Sequence, residues 1–135
     1  MNLALWLHRQ ALARGNQPAL ARGTEVTHDY ARLARAAVGF ADAAAARGIV
    51  AGDRVGVFMD NDPGYLVALW GLWWMGAVAV PINARLHGRE AAWILGHSGA
   101  RACLVDARHE SELAPHAEAA VPRWCELAPA ESALR

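Results

Sequence analysis

The sequence predicts an α/β fold in which a parallel-type sheet is flanked by helices. Three short apolar runs, at 54–59, 77–83 and 101–106, are separated by stretches with helical spacing. The first run, RVGVFM, does not alternate apolar with polar residues, which is typical of a parallel strand covered on both faces. Strands that alternate with helices indicate a parallel sheet with helices packed against it. The 135 residues are enough for one domain with its own core.

The chain opens with a predicted helix and a predicted hairpin. Residues 3–14 place Leu3, Trp6, Leu7 and Gln10/Ala11 at helical spacing, so we expect this stripe to face the core. Within residues 18–28, the segments PALAR and EVTH flank a Gly-Thr pair and predict two short strands joined by a tight turn.

A second helix is predicted from about Asp29 to Arg47. Thr27 is the predicted N-cap, because its hydroxyl can accept a backbone hydrogen bond and Asp29 would then lie in the first turn, near the positive helix end. The apolar residues that step by three and four form one core-facing stripe: Tyr30, Leu33, Ala37, Phe40 and Ala44.

An uncharged run from Pro63 to Ala84 is long enough to be a membrane span. However, Asp62 and Pro63 suit the N-cap and first position of a helix, and Gly76 ends the helical pattern after about thirteen residues, or about 20 Å. The hydrocarbon core of a bilayer is ~30 Å thick. The AVAVPIN segment that follows is rich in β-branched residues, as strands are. We therefore predict a helix and a strand, with a membrane span as the alternative. The predicted core-facing stripe of the helix is Leu66, Leu69, Trp70 and Trp73.

The rest of the chain repeats this alternation. Residues 88–96 predict a short helix with Trp93 or Ile94 toward the core. A further short helix is predicted within 109–122, and a last strand at 123–127.

Composition excludes several classes of function. The 13 basic and 13 acidic residues give a net charge of zero, which indicates neither a nucleic-acid footprint nor an anionic-membrane patch. Every basic residue is Arg, so no lysine is present to form a Schiff base or to grip a phosphate. Cys103 and Cys125 form no C-x-x-C pair, and the N-terminus lacks the layout of a secretory signal, so we expect a reducing, cytoplasmic setting.

Two polar segments at predicted strand ends are the candidates for binding. The MDND segment at 59–62 lies where open α/β sheets bind ligands, although capping by Asp62 explains it without a ligand, and we predict no metal site. Asn83 and Arg85 follow the next strand, and Arg85 can meet an anion or remain solvated. Glycine-rich phosphate loops, nucleophile elbows and H-E-x-x-H pairs do not occur in the sequence.

The order and spacing of these elements resemble the N-terminal region of the AMP-binding, adenylate-forming ligases, which include acyl-CoA synthetases and aryl-CoA ligases. The resemblance is carried by PAL at 18–20, GDRV at 52–55, NDPGYLVALWGLWWMGAVAVPINARL at 61–86 and ILGHSGARACLV at 94–105. It covers about residues 2–107. On this resemblance, residues 1–107 are the N-terminal part of the ligase domain, and residues 108–135 continue the same domain.

The resemblance implies a ligase that joins a fatty or aryl carboxylic acid to coenzyme A through an acyl-adenylate, with ATP and Mg²⁺. The family's phosphate loop, hinge and catalytic lysine match positions beyond this chain, so no catalytic residue carries over. We expect the chain alone to be inactive and to hold no cofactor. Asn83 and Arg85 match a segment near the entrance for the thiol substrate, and are the binding residues that the resemblance implies.

Two other functions remain as alternatives. The chain could be a truncated, non-catalytic interaction protein that self-associates or binds a partner through exposed apolar surface. It could also be a small membrane protein that spans the bilayer at 63–84.

Overall fold

The computed structural model describes residues 1–116 and 121–124. The helices are α1 (Ala4–Arg14), α2 (Tyr30–Ala46), α3 (Pro63–Trp74), α4 (Gly88–Ser98) and α5 (Ala107–Leu113). The strands are β1 (Pro18–Arg22), β2 (Glu25–Asp29), β3 (Arg54–Phe58), β4 (Val78–Pro81), β5 (Ala102–Val105) and β6 (Arg123–Trp124).

The main sheet is parallel, as the alternation of strands and helices predicts. Its strand order is β4-β3-β5-β6, and β3 pairs in parallel with both of its neighbours. Pro81, which has no backbone N–H to donate, lies at the end of the edge strand β4. The strands β1 and β2 form a separate antiparallel hairpin, which confirms the hairpin prediction.

Two hydrophobic cores cover the two faces of the sheet. Val55 and Val57 of β3 and Leu104 of β5 lie in the core that contains the buried residues of α1, α2 and α3. Phe58 and Cys103 alternate with them and lie in the second core, which α4 and α5 complete. The protein is therefore a three-layer α/β/α structure around a sheet that is buried on both faces.

The N-cap of α2 is Asp29 and not the predicted Thr27. An oxygen of the Asp29 carboxylate accepts a hydrogen bond from the backbone N–H of Arg32 at 2.7 Å. Thr27 lies in β2, and its hydroxyl donates to the carbonyl oxygen of Leu20 across the hairpin at 3.3 Å. The hairpin thus uses the threonine hydroxyl, and the carboxylate two residues later caps the helix.

The core-facing side of α1 differs from the prediction. Leu7 and Ala11 are buried as expected, but Trp6 is 56% exposed and Leu3 is 40% exposed. The residues buried beside Leu7 are Ala4 and Ala11. The helix places its small side chains inward, where they contribute less apolar surface but allow a close helix contact.

The uncharged segment 63–84 forms α3 followed by β4, as predicted. Asp62 caps α3 by accepting from the Gly64 N–H at 2.8 Å, and Gly76 ends it with a φ of 82°, which favours glycine. Within the described residues, each helix is too short or too polar to cross a membrane. The predicted stripe is wrong at Leu66, which is 40% exposed. The buried residues of α3 are Gly64, Val67, Ala68, Gly71 and Leu72.

The second half of the chain corrects two further predictions. Trp93 is 66% exposed and stacks on the ring of His97, whereas Ala91 and Leu95 are the core residues of α4 and Ile94 is only partly buried. The helix α5 begins at Ala107, two residues before the predicted start at His109, because Asp106 caps it. The predicted helix and last strand extend into 117–120 and 125–127, which lie outside the described residues.

Gly71 controls how closely α2 and α3 approach. A Cβ at this position would lie 2.6 Å from Cδ1 of Phe40 and 2.9 Å from the carbonyl oxygen of Ala37. Because part of that contact is with backbone, we expect Gly71→Ala to lower the free energy of unfolding by roughly 1–3 kcal/mol. Chemical denaturation measures this change.

The matched control is Gly96→Ala in α4, where an added Cβ meets no atom within 4 Å. Both substitutions give the same gain in helix propensity, about 1 kcal/mol. Gly96→Ala should therefore be neutral or stabilising, and equal stability of the two variants would contradict the close contact at Gly71.

Candidate functional site

The carboxyl ends of β3, β4 and β5 meet at one edge of the sheet, because the three strands are parallel. Three polar segments leave the strands there: 59–62 after β3, 83–87 after β4, and Asp106 after β5. In open α/β sheets this edge is the usual place for a ligand. Both predicted binding segments thus lie at this edge, and Asp106 is added to them.

A cleft of about 430 Å³ lies at this edge. It is lined by residues 59–61 and 81–85 and by Tyr65 of α3. Partial burial raises the pKa of the Tyr65 phenol above its ordinary value. The phenol therefore stays protonated at neutral pH and can donate a hydrogen bond into the cleft.

Asn83 and Arg85 line this cleft, and both side chains are exposed. The side-chain oxygen of Asn83 accepts from the backbone N–H of Arg85 at 3.0 Å, and the Asn83 carbonyl accepts from the N–H of Leu86 at 3.0 Å. These bonds form a compact turn in which the amide of Asn83 serves the backbone. Arg85 thus lies at the rim, where its guanidinium can meet an anionic group.

The two aspartates after β3, Asp60 and Asp62, are engaged in ion pairs and a helix cap within the protein. Asp62 caps α3 and also forms an ion pair with Arg22 of the hairpin. Asp60 pairs with Arg108 of α5, whose Nη2 lies 2.7 Å from Oδ1 of Asp60. The capping interpretation of Asp62 is therefore confirmed, and Asp60 links the end of β3 to α5.

A contact between the buried His109 and the partly buried Asp106 was missed from the sequence. The imidazole of His109 is fully buried, and its Nδ1 lies 2.6 Å from Oδ1 of Asp106. The same carboxylate accepts from the backbone N–H groups of His109 and Asp60, each at 2.9 Å. An aspartate followed three residues later by a histidine at a helix start is the signal that could have indicated this pair.

The hydrogen bonds to Asp106 change the acidity of its carboxyl group. Partial burial alone raises its pKa, but the bonds from the Asp60 N–H and from the backbone and ring of His109 outweigh this effect. The pKa of Asp106 consequently lies below its ordinary value, and the group is a carboxylate at neutral pH.

Asp60, Asp106 and His109 carry side chains that could act as metal ligands. Single ligand atoms of Asp60, Asp106 and His109 lie within 4.8 Å of one another. However, the Arg108 guanidinium already pairs with Asp60, and the His109 ring already bonds Asp106. Since protein groups occupy the places that a cation would take, this cluster does not fit a metal ion.

Cys103 is not a nucleophile in this protein. Its side chain is buried in β5, and burial raises the pKa of the thiol to about 12. The thiolate that would attack a substrate is therefore not formed at neutral pH. Cys103 is a packing residue of the second core.

Residues 7–133 match the family model described as "AMP-binding enzyme". Among characterised proteins, the chain is similar to the crotonobetaine/carnitine–CoA ligase of Salmonella paratyphi B, with 53% identity over 51 residues. That match covers 38% of this chain and 10% of the ligase.

Solved structures of larger ligases contain the same fold. A Mycobacterium tuberculosis fatty acyl CoA synthetase superposes with a TM-score of 0.82 at 32% identity, covering 91% of this chain and 26% of the synthetase. A benzoate CoA ligase from Burkholderia xenovorans superposes with a TM-score of 0.83 at 27% identity, covering 96% of this chain and 27% of that ligase. The chain thus spans about a quarter of the length of these structures.

The Asp106 carboxylate should make stability depend on acid pH. Its pKa is lower in the folded protein than in the unfolded chain, so its contribution is present above the unfolded value of about 3.9 and is lost as the pH falls through the folded value. We expect Asp106→Asn to be less stable than the wild type at pH 7. As the pH falls below about 5, we expect it to lose less stability than the wild type does. Urea unfolding at a series of pH values measures this difference.

Asp29→Asn is the control, since it changes the N-cap of α2 in the same way without affecting His109. Parallel stability curves for Asp106→Asn and the wild type across this pH range would contradict the role given to Asp106.

Proposed function

Since this chain belongs to the family of AMP-binding enzymes, we propose that it is the N-terminal part of an ATP-dependent ligase that joins a carboxylic acid to coenzyme A through an acyl-adenylate. The observation that carries the proposal is the family match over residues 7–133, on a fold shared with acyl- and aryl-CoA ligases. On this proposal residues 108–135 continue the domain formed by residues 1–107.

The reaction has two halves, and this chain contributes to the second. In the first half, a carboxylate oxygen attacks the α-phosphorus of ATP and pyrophosphate leaves. In the second half, the sulfur of coenzyme A attacks the acyl carbonyl carbon, its proton passes to a base, and AMP leaves. Mg²⁺ would neutralise the phosphates of ATP in the complete enzyme. The Asp60–Asp106–His109 cluster does not fit that ion, so we assign the ion to no residue of this chain.

We place the entrance for coenzyme A at Asn83 and Arg85. The turn formed by Asn83 holds Arg85 at the rim of the cleft, where the guanidinium can meet the phosphates of an entering nucleotide thiol. Tyr65, which also lines the cleft, adds a protonated phenol. These groups would bind and orient the thiol substrate without touching the reacting carbonyl.

The chain by itself should be inactive. Phosphoryl transfer needs positive charge placed at the α-phosphate and the leaving pyrophosphate. The sequence has no lysine, Arg22 and Arg108 at this edge of the sheet are paired with Asp62 and Asp60, and Arg85 is assigned above to the thiol substrate. The charge that stabilises the transition state must therefore come from the part of the enzyme that this chain does not contain.

The proposed acid is fatty or aryl, and the proposed setting is the cytoplasm. The solved ligases with this fold include a fatty acyl CoA synthetase and a benzoate CoA ligase, which supports both acid classes. The buried, unoxidised thiol of Cys103 is compatible with a reducing compartment. A role in fatty acid metabolism follows if the acid is aliphatic.

A non-catalytic interaction protein is the second candidate function. The observation that favours it is the number of large apolar side chains in contact with solvent, including Leu12 and Trp93, which are 71% and 66% exposed. These groups would support self-association or the binding of a partner. Size-exclusion chromatography with light scattering would detect a dimer of the chain.

The proposed function is tested by ATP–pyrophosphate exchange with butyrate, octanoate, palmitate and benzoate. We expect no exchange with the 135-residue chain, because it lacks the phosphate-binding groups. We expect exchange with one class of acid when the product of the complete reading frame is assayed.

Exchange by the 135-residue chain would disprove the assignment of the catalytic charge to the rest of the enzyme. A reading frame that closes at Arg135, together with no exchange, would disprove the ligase and favour the interaction protein.

Arg85→Gln should weaken thiol binding in the complete enzyme. Loss of one phosphate contact at an exposed site should raise the KM for coenzyme A about three- to tenfold. ATP–pyrophosphate exchange, which does not involve the thiol, should be unchanged. Steady-state kinetics of thioester formation measure the KM for coenzyme A.

Arg89→Gln is the matched control, since Arg89 is also exposed but lies on α4 and away from the cleft. An equal effect of both substitutions on the KM would mean that Arg85 contributes only general positive charge.

A further inference from the structure

The turn that carries Arg85 is held from inside the protein by His109. The Nε2 of His109 lies 3.0 Å from the carbonyl oxygen of Ala84, which is the residue between Asn83 and Arg85. The ring is fully buried and packs edge-on against Phe58, with ring centroids 4.4 Å apart. A buried imidazole that reaches a loop carbonyl fixes the loop at the residue where the contact is made.

The other side of the ring is fixed in turn by Asp106. Its carboxylate lies 2.6 Å from Nδ1 of His109 and also accepts from the backbone N–H of Asp60 at 2.9 Å. When Nε2 of His109 carries a proton as well as Nδ1, a continuous chain of hydrogen bonds runs from the end of β3 through Asp106 and His109 to Ala84. It joins the three strand ends that form the candidate site.

The protonation of the His109 ring determines which of its contacts are hydrogen bonds. The Asp106 carboxylate and the Ala84 carbonyl are both acceptors, so the ring donates to both only as an imidazolium, with Asp106 offsetting its charge. With a single proton on Nδ1, the ring donates to Asp106 and Nε2 can accept from Arg108, whose Nη2 lies 3.1 Å away. With a single proton on Nε2, the ring donates to Ala84 and the unprotonated Nδ1 faces the carboxylate. The bond to Ala84 exists only while Nε2 carries a proton.

We propose that His109 is a positioning residue for the thiol substrate, holding the Ala84 carbonyl so that Arg85 stays at the rim of the cleft. The proposal rests on the function proposed above, because that function makes this rim the entrance for coenzyme A. It goes further by assigning the placement of Arg85 to a side chain in α5 that does not touch the substrate. It follows that His109 affects thioester formation and leaves acyl-adenylate formation unchanged.

Two amide substitutions separate the contacts of the ring. In His109→Gln the side-chain nitrogen can reach the place of Nε2, so the donor to Ala84 is retained and the bond to Asp106 is lost. In His109→Asn the shorter side chain places its nitrogen near Nδ1, so the donor to Asp106 is retained and the bond to Ala84 is lost. Both variants remove the imidazole and therefore its ring contact with Phe58.

The variants are compared in the product of the complete reading frame. We expect His109→Asn to raise the KM for coenzyme A about three- to tenfold, with an unchanged rate of ATP–pyrophosphate exchange, as for loss of one hydrogen bond. We expect His109→Gln to keep the KM within about twofold of the wild type, a difference that corresponds to an almost intact hydrogen bond. A merely structural role would lower both half-reactions together and in both variants.

Hydrogen–deuterium exchange gives a second, activity-independent measurement on the same variants. We expect the backbone amides of Arg85 and Leu86 to exchange faster in His109→Asn than in His109→Gln, because only the former frees the Ala84 carbonyl. Equal exchange in the two variants, or an unchanged KM in His109→Asn, would overturn the proposal. A wild-type enzyme that forms no thioester with any acid would instead overturn the proposed function, and the exchange measurement would still decide whether His109 holds the loop.

Discussion

The burial of β3 on both faces is the constraint on which the rest of the structure depends. Val55, Val57 and Phe58 are completely buried, although the two valines lie in the core on one side of the sheet and Phe58 lies in the core on the other side. Such a strand needs an apolar layer on each side, and its backbone groups must pair with strands on both edges. The helices α1, α2 and α3 supply one layer, α4 and α5 supply the other, and β4 and β5 supply the paired strands.

This constraint also determines where polar chemistry can occur. The middle of either core offers a carboxylate or an imidazole neither solvent nor hydrogen-bond partners, so polar side chains gather where the strands end. Even the fully buried His109 has its partners, Asp106 and Ala84, at those strand ends. Asp106 illustrates the consequence, because its two oxygens accept from the backbone of Asp60 and from the backbone and ring of His109. The carboxylate satisfies groups that the ends of the sheet would otherwise leave unpaired, and it connects the two loops of the candidate site.

The sequence predicts the elements well and the core-facing sides of α1, α3 and α4 poorly. Capping by Asp62 and the stop at Gly76 are local signals, and both are confirmed. The errors at Trp6 and Leu66 have a common cause, since the largest apolar residues were expected to face the core. Close helix contacts instead favour small residues such as Ala68 and Gly71, so the large ones lie outside. Periodicity locates a helix, but it does not indicate how near its neighbour lies.

The candidate site divides in the same way into predictable and unpredictable parts. Asn83 and Arg85 could be located because polar residues directly after a parallel strand must lie at the ligand-binding edge. His109 could not be connected to them, because it contacts a backbone carbonyl 25 residues away and a carbonyl leaves no pattern of side chains. On the proposed function, the residues that orient the thiol and the residues that carry the charge of phosphoryl transfer belong to different parts of the enzyme. A fold that contributes only orientation can then keep its rigid core and tolerate the absence of lysine.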